Sequence, residues 1–272
     1  MTNPYARKAH EFTRMTVTVR DGLAEVRLDW PERDNAADWS TATDLLEMAT
    51  LLAEDPSVRV VLLAANGRFF SAGGDISMFH GLAGAALPAS LRRMIDQYHL
   101  AIERLSELNA PIVAAVQGAA AGGGLGLVCA ADIVVAADDA MFTMSSTRIG
   151  LPADGGTSWY LPRVVGLRRA QEMMLLSRRL TADQALDWGL VTRVVPAADL
   201  DKEARSIAER LRDGPTVAYG EVRRLLRDSE HNSLSQQLGA ERDAVVLAAA
   251  SRDAAEGIAA FTERRRPAFG GQ

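Results

Sequence analysis

The chain has 272 residues, 48% of them apolar, which is enough for one large domain with a full core. Its formal net charge is −5 without any basic block, which argues against nucleic acid as the main partner. One cysteine, Cys129, excludes an intramolecular disulfide and fits a reducing cytoplasm; no apolar run reaches the ~18 residues of a membrane span, so neither membrane contact nor a disulfide framework is expected.

Residues 1–14 are polar, lack the apolar region of a signal peptide and read as a poorly ordered tail. Residues 15–19 and 23–28 alternate apolar with polar positions around Asp21-Gly22, a hairpin signature. A loop over 30–35 follows, and then Asp38 or Ser40 caps a helix running to about residue 53. Residues 58–64 form a continuous apolar run that reads as a strand buried on both faces, closed by a small-residue turn over 69–76. Residues 81–90 are Gly/Ala/Pro-rich and read as a mobile loop; 89–108 carry helical spacing in Leu91, Met94, Ile95, Tyr98, Ile102 and Leu105. Residues 111–116 form a second short buried strand. It runs into Gln117-Gly118-Ala119-Ala120-Ala121-Gly122-Gly123-Gly124-Leu125-Gly126, and then into a small, helix-compatible stretch over 127–131. Short strands are predicted at 133–136 and 141–144, and a turn-rich segment at 148–157. A helix over 166–176, a capping box Thr181-x-x-Gln184 with Gly189 closing its helix, and a strand over 191–195 stopped by Pro196 complete this part. From Asp199 onward the pattern is helical, over about 199–212, 216–227, 233–250 and 252–264. The alternation predicts an α/β core over 15–200 followed by a helical region over 201–272, the composition shift near 200 being the one boundary candidate.

Two of these strand-to-turn segments share a design: Ala72-Gly73-Gly74 and Gly122-Gly123-Gly124. If their strands lie side by side, two backbone N–H groups can converge on one oxygen, as in an oxyanion hole. A helix start adds unpaired N–H groups and partial positive charge. Taken singly, each segment also reads as a tight turn with glycines for packing. His10, His80 and His231 show no metal-ligand spacing with one another, so no metal is expected. No P-loop is present, and Ser71, Ser145 and Ser146 have no evident His/Asp partner. Cys129 and the methionine pairs Met141/Met144 and Met173/Met174 read as packing.

Taken together and in order, these segments resemble the enoyl-CoA hydratase/isomerase (crotonase) superfamily. The resemblance is carried by Ser71-Ala72-Gly73-Gly74-Asp75-Ile76, by the run from Pro111 to Gly124, by Ala131-Asp132-Ile133 and by Ile149-Gly150-Leu151-Pro152-Ala153-Asp154-Gly155-Gly156. It continues through Leu161-Pro162-Arg163, Trp188-Gly189-Leu190-Val191 and Glu256 to Arg265, covering about residues 15 to 268. The resemblance implies a crotonase-like spiral of ββα units with a C-terminal helical trimerisation region, assembled as a trimer or a dimer of trimers. It implies an acyl-CoA substrate, coenzyme A being part of the substrate and no separate cofactor being needed. The N–H groups of Gly74 and Gly123 would hold the thioester oxygen. Ala72 and its neighbour Asp75 would lie by the CoA nucleotide, and Phe261 and Arg264 match positions that approach the CoA of a neighbouring subunit.

The sequence departs from the two-glutamate pattern of the family's hydratases. The corresponding positions are Gly126 and Ser146, and neither residue type replaces a carboxylate as a base near neutral pH. Asp154 is the leading substitute, at a position where isomerase-type members place an acting aspartate. An acyl-CoA isomerase is therefore favoured over a hydratase. The same position holds the nucleophile of 4-chlorobenzoyl-CoA dehalogenase, whose base corresponds to His99, so a dehalogenase or hydrolase using Asp154 as nucleophile is the alternative. A silent CoA-binding scaffold is the third reading. Asp75 and Glu103 remain as further carboxylates that could reach the site, and His99 also reads as an ordinary helix residue.

Overall fold

The computed structural model describes residues 11–82 and 86–272. A hairpin begins the main sheet: β1 (Met15–Arg20) pairs antiparallel with β2 (Leu23–Leu28). β2 pairs in parallel with β3 (Val60–Ala65), and β3 in parallel with β4 (Ile112–Val116). A second, three-stranded sheet holds β5 (Ala119–Ala121) parallel to β7 (Met141–Thr143), with β8 (Arg179–Thr181) antiparallel to β7. The main sheet continues through β6 (Ile133–Ala137) beside β4 and ends with β9 (Arg193–Val195).

β3 and β4 are buried at every position because the parallel sheet is covered on both faces. The period of two sends alternate side chains to different partners. Val61, Leu63, Ile112 and Ala114 join the larger core with Leu45 and Met48 of α1 (Trp39–Glu54) and Tyr98 and Ile102 of α2 (Ala86–Glu107). Val60, Leu62, Val113 and Val135 face the other way. α1 starts at Asp38 with a full capping box, Asp38 accepting from Thr41 N–H at 2.8 Å. α2 buries Met94, Tyr98, Ala101, Ile102 and Leu105, one face at helical spacing.

The chain then continues through α3 (Gly123–Ala130), α4 (Thr157–Val165), α5 (Leu167–Leu175) and α6 (Ala182–Asp187), the last opened by the Thr181–Gln184 capping box. α7 (Leu200–Arg212) lays Leu200, Ala204 and Ala208 on the second face of the sheet. The composition shift near residue 200 therefore coincides with a helix that is part of the core packing. α8 (Thr216–Asp228), α9 (Leu234–Ala249) and α10 (Arg252–Thr262) follow, and α9 buries only Ala244.

Several expectations change in detail. Residues 1–10 of the expected tail lie outside the described residues, while Thr13 and Arg14 are tied down, both backbone N–H groups donating to Asp44. Of the expected loop over 81–90, residues 83–85 lie outside the described residues and Ala86 already begins α2. Pro88 is tolerated there because a first-turn residue needs no intrahelical N–H bond. The segment after Gly155-Gly156 is not a turn only: it continues as α4, with Pro162 inside it. β5 and β8, three residues each, were not foreseen. Among the described residues, no helix is long and apolar enough to cross a membrane.

Candidate active site

The two glycine turns stand side by side because their strands do. β3 and β4 are direct parallel neighbours, and the pairing continues beyond them as a bridge between Ser71 and Ala120. Ser71 N–H donates to Ala119 O at 3.0 Å, and Ala121 N–H donates to Ser71 O at 2.9 Å. The approach tightens at the glycines. A Cβ on Gly73 would stand 2.9 Å from Ala121 O, and one on Gly122 would stand 3.4 Å from Gly73 Cα and 4.0 Å from Gly74 N. Both residues have positive φ, 88° and 50°, which favours glycine at each; at Gly73 the close approach to Ala121 O requires it as well.

Two backbone donors result. Ala37 N–H donates to Gly73 O and Asp75 N–H to Ala37 O, which fixes the Gly74 peptide while leaving the Gly74 N–H without a partner among the described residues. Gly123 is the first residue of α3, so its N–H belongs to the group that has no intrahelical acceptor. Gly74 and Gly123 line one small cavity of about 40 Å³, together with Tyr98, His99, Asp154 and Gly155. The sequence-derived trio Gly74, Gly123 and Asp154 is thus brought to one place.

Asp154 precedes Gly155 in the loop before α4, and this loop packs directly on α3. A Cβ on Gly126 would stand 2.1 Å from Gly155 O, a separation no side chain tolerates. The family resemblance matches Gly126 to a glutamate of the hydratases, and here the Asp154 loop fills the space that any side chain at Gly126 would need. Burial pushes the Asp154 carboxyl above its ordinary value, partly offset by the neighbouring His99 and by its own backbone amide. Asp154 and His99 also line a second cavity of about 410 Å³, with Ile102, Glu103, Trp159, Tyr160 and Arg227 on its walls. Trp159 and Tyr160 meet edge to face at 4.6 Å there. A substrate group seated at the glycines therefore has space beyond Asp154.

A second carboxylate lines the small cavity, and sequence reasoning assigned it only a capping role. Asp38 accepts from Arg14 Nη2 at 2.8 Å and from Thr41 N–H at 2.8 Å. Burial opposes ionisation, but these hydrogen bonds hold its carboxyl below the ordinary value. Two carboxyl groups on one cavity are thus pushed in opposite directions, Asp38 below its ordinary value and Asp154 above it.

The remaining expected site residues separate. His99 is in the site, its Nε2 accepting from Gly155 N–H at 3.1 Å. Ala72 is exposed beside the Gly73-Gly74 turn. Asp75 does not line either cavity around Asp154. Its carboxylate accepts from Arg33 at 2.8 Å and from Ser77 N–H at 3.0 Å, which fixes the short helical turn after it. Ser146 likewise lines neither cavity, and its hydroxyl faces Met144 Sδ at 3.9 Å. Phe261 and Arg264 sit at the exposed end of α10, Phe261 being 87% exposed. Sequence reasoning missed Tyr98 as a site residue, having placed it only on the buried face of its helix; its position next to His99 was the available signal. Among the described residues, no group of three or more His, Cys, Asp or Glu side chains could hold a metal ion.

The enoyl-CoA hydratase/isomerase family profile matches residues 18–272. The chain is 35% identical over 254 residues to the 1,2-epoxyphenylacetyl-CoA isomerase of Escherichia coli (strain K12), covering 93% of this chain and 97% of that protein. It is 34% identical over 250 residues to 4-chlorobenzoyl coenzyme A dehalogenase-1 of Arthrobacter sp, covering 92% and 91%. Among solved structures, an enoyl-CoA hydratase from Polaromonas sp. JS666 superposes with a TM-score of 0.87 at 34% identity, covering 93% of this chain and 98% of that one. The chain belongs to the enoyl-CoA hydratase/isomerase family and has its crotonase fold. That family is one of enzymes, and an acyl-CoA thioester substrate is consistent with it.

Proposed function

We propose that the protein is an enoyl-CoA isomerase, moving a double bond along the acyl group of a CoA thioester. The reading is carried by one observation: Asp154, the carboxyl whose environment favours proton exchange, shares a cavity with the Gly74 and Gly123 donors. The Asp154 carboxylate takes a proton from the α-carbon of a 3-enoyl thioester. The electron pair moves onto the thioester oxygen as a dienolate, stabilised by the two N–H groups without a metal. Protonated Asp154 then returns the proton to the γ-carbon, giving the conjugated 2-enoyl thioester. Protons and electrons balance within one turnover, and no cofactor enters beyond the CoA carried by the substrate. The filled space at Gly126 argues against two-glutamate hydration.

A second reading has a specific observation behind it, the closeness of His99 to Asp154, together with the likeness to a protein named as a dehalogenase. In it Asp154 attacks a halogen-bearing aryl carbon and expels halide, leaving an aryl ester on its carboxyl; His99 takes a proton from water, whose oxygen adds to the ester carbonyl, and cleavage of the acyl C–O bond frees the hydroxyaryl-CoA and restores the Asp154 carboxylate. The hydrogen bond at His99 Nε2 weighs against it, because the lone pair a base would use already accepts from Gly155 N–H.

Exposed apolar side chains on α8 to α10, among them Leu226, Leu234, Val245 and Ile258, support assembly through this region as a trimer or a dimer of trimers. Phe261 and Arg264 would then meet the CoA of a neighbouring subunit. The deciding assay incubates the protein with a 3-enoyl-CoA and follows formation of the conjugated thioester by its ultraviolet absorbance. Conjugation that Asp154→Asn abolishes supports the isomerase. Halide or free-acid release from an aryl-CoA, without conjugation, replaces it with the second reading.

A further inference from the structure

We infer that Tyr98 and His99, adjacent on α2, are positioning residues that tether both reactive parts of the site, the Gly123 turn and the Asp154–Gly155 loop, to one helix. The inference rests on the roles proposed for Gly123 and Asp154. It assigns no new chemistry to either α2 residue. It assigns them the geometry.

Consecutive helical residues point about 100° apart. Tyr98 therefore turns inward and is buried, while His99 stands at the rim, half-buried. Each reaches a different segment. Tyr98 Oη donates to Gly123 O at 2.8 Å. His99 Nε2 accepts from Gly155 N–H at 3.1 Å. The Tyr98 ring also packs where the two segments meet. A Cβ on Gly123 would stand 3.3 Å from Tyr98 Oη, and a Cβ on Gly155 would stand 3.4 Å from Tyr98 Cε1 and 3.2 Å from Gly123 Cα. Helix, turn and loop are thus in mutual contact, and a packed interior of this kind transmits small displacements. Burial and the nearby Asp154 charge both keep the Tyr98 phenol protonated, so it remains a donor.

α2 is a firm base for such tethers. Met94, Ala101, Ile102 and Leu105 are buried with Tyr98, and Arg104 donates to Thr50 Oγ1 of α1 at 2.8 Å. A site whose donor and base must both lie within a few tenths of an ångström of productive geometry needs its supports on rigid elements. One helix supplies both supports here, so donor and base are held in register with each other as well as with the sheet.

The tether and a general base make different demands on His99. A tether needs an acceptor near Nε2, which a glutamine Oε1 supplies; a base needs a titrating nitrogen, which glutamine lacks. The experiment compares wild type, Tyr98→Phe, His99→Gln, His99→Leu and Asp154→Asn by steady-state kinetics on a 3-enoyl-CoA. Tyr98→Phe keeps the ring and its packing, and its kcat is expected to fall on the order of 10- to 100-fold with KM within about twofold. His99→Leu behaves alike, whereas His99→Gln stays within about threefold of wild type. Amide hydrogen exchange, read without substrate, rises at Gly155 in His99→Leu but not in His99→Gln, and rises in the first turn of α3 in Tyr98→Phe. Full activity of Tyr98→Phe, or a loss in His99→Gln as deep as in His99→Leu, overturns the inference. Loss of activity in Asp154→Asn alone leaves the reaction standing and removes the tethers. A wild type that isomerises no enoyl-CoA removes the reaction, and the exchange comparison then decides the tethers by itself.

Discussion

The two walls of the site are made of different material. One wall consists of the Gly74 and Gly123 turns, whose working groups are backbone N–H, held by the pairing of β3 with β4 and by the Ser71–Ala120 bridge. The other consists of α2 and the Asp154 loop, whose working groups are side chains. A backbone donor cannot be deleted by an ordinary substitution, so the first wall persists wherever the fold persists. The second wall can be rewritten one side chain at a time. The relatives of this fold carry isomerase, dehalogenase and hydratase names; on the function proposed above, stabilisation of an oxygen charge falls to the glycine turns and the choice of reaction to the helix and loop facing them.

The strongest way to test that division is to remove the only proton carrier assigned to the second wall. Asp154→Asn preserves shape and takes away the base, so isomerase kcat should fall about 10²- to 10⁴-fold. Binding of an unreactive acyl-CoA, measured by calorimetry, should change little, because the glycine wall is intact. An equal loss of binding would show that the two walls are not separable. Gly126 is where they touch. Gly126→Ala would set a Cβ 2.1 Å from Gly155 O, so loop or helix must move. Strain of this kind costs about 1–3 kcal/mol, set against the ~1 kcal/mol that alanine gains over glycine in a helix. A lowered Tm with a lowered kcat is expected. For the same reason Gly126→Glu should not create hydration of a 2-enoyl-CoA, and the appearance of 3-hydroxyacyl-CoA product would contradict the packing argument.

The pH profile sharpens the contrast between the two carboxyls of the cavity. Only ionised Asp154 can accept the α-proton, and burial raises its pKa. The acid limb of kcat/KM should therefore lie above the ordinary aspartate range, rate increasing with pH through it. Asp38, held below its ordinary value by Arg14 and Thr41 against the effect of burial, should already be ionised across that limb and contribute nothing to it. An acid limb at or below the ordinary aspartate value would remove Asp154 as the base.

The first wall was legible in the sequence and the second only in part. Continuous apolar runs that end in Gly-Gly turns announce buried strands followed by close backbone approach, but the pattern alone leaves open whether the two turns are neighbours; the family resemblance supplied the pairing of Gly74 with Gly123, and the β3–β4 register shows their strands side by side. The capping residues Asp38 and Thr181 carry local signals, and the helices after residue 199 have clear periodicity. α4 was hidden because its start follows two glycines at positive φ and Pro162 interrupts its pattern. Tyr98 was read as core, correctly as to burial, but its hydroxyl partner Gly123 O is 25 residues away, and only the packing of α2 on α3 brings them together. Ser146 and Asp75 were placed by position in a pattern, which gives chain location but not side-chain direction. Local patterns specify elements; contacts across elements depend on orientation that no spacing encodes.

The smallest expected effect bears on what the second wall costs the fold. The folded-state pKa of Asp154 is raised, so ionising it at neutral pH opposes folding. The sign follows directly. Below the ordinary aspartate pKa the carboxyl is neutral in both states and the folded protein carries no penalty. As pH rises from there through the raised folded value, the unfolded chain loses its proton first and stability declines. Asp154→Asn carries no such charge, so it should be more stable than wild type at pH 7 by about 0.5–2 kcal/mol, in the range typical of removing a functional strain. The gain should vanish at a pH below the ordinary aspartate value. Urea unfolding of both proteins at two pH values measures it. A stability gain that is the same at both would assign it to packing rather than to charge. No comparable pH-dependent gain is expected from a change at Gly74, whose working group is a backbone N–H that does not titrate. The cost of catalysis would then sit entirely on the side-chain wall, where the choice of reaction is made.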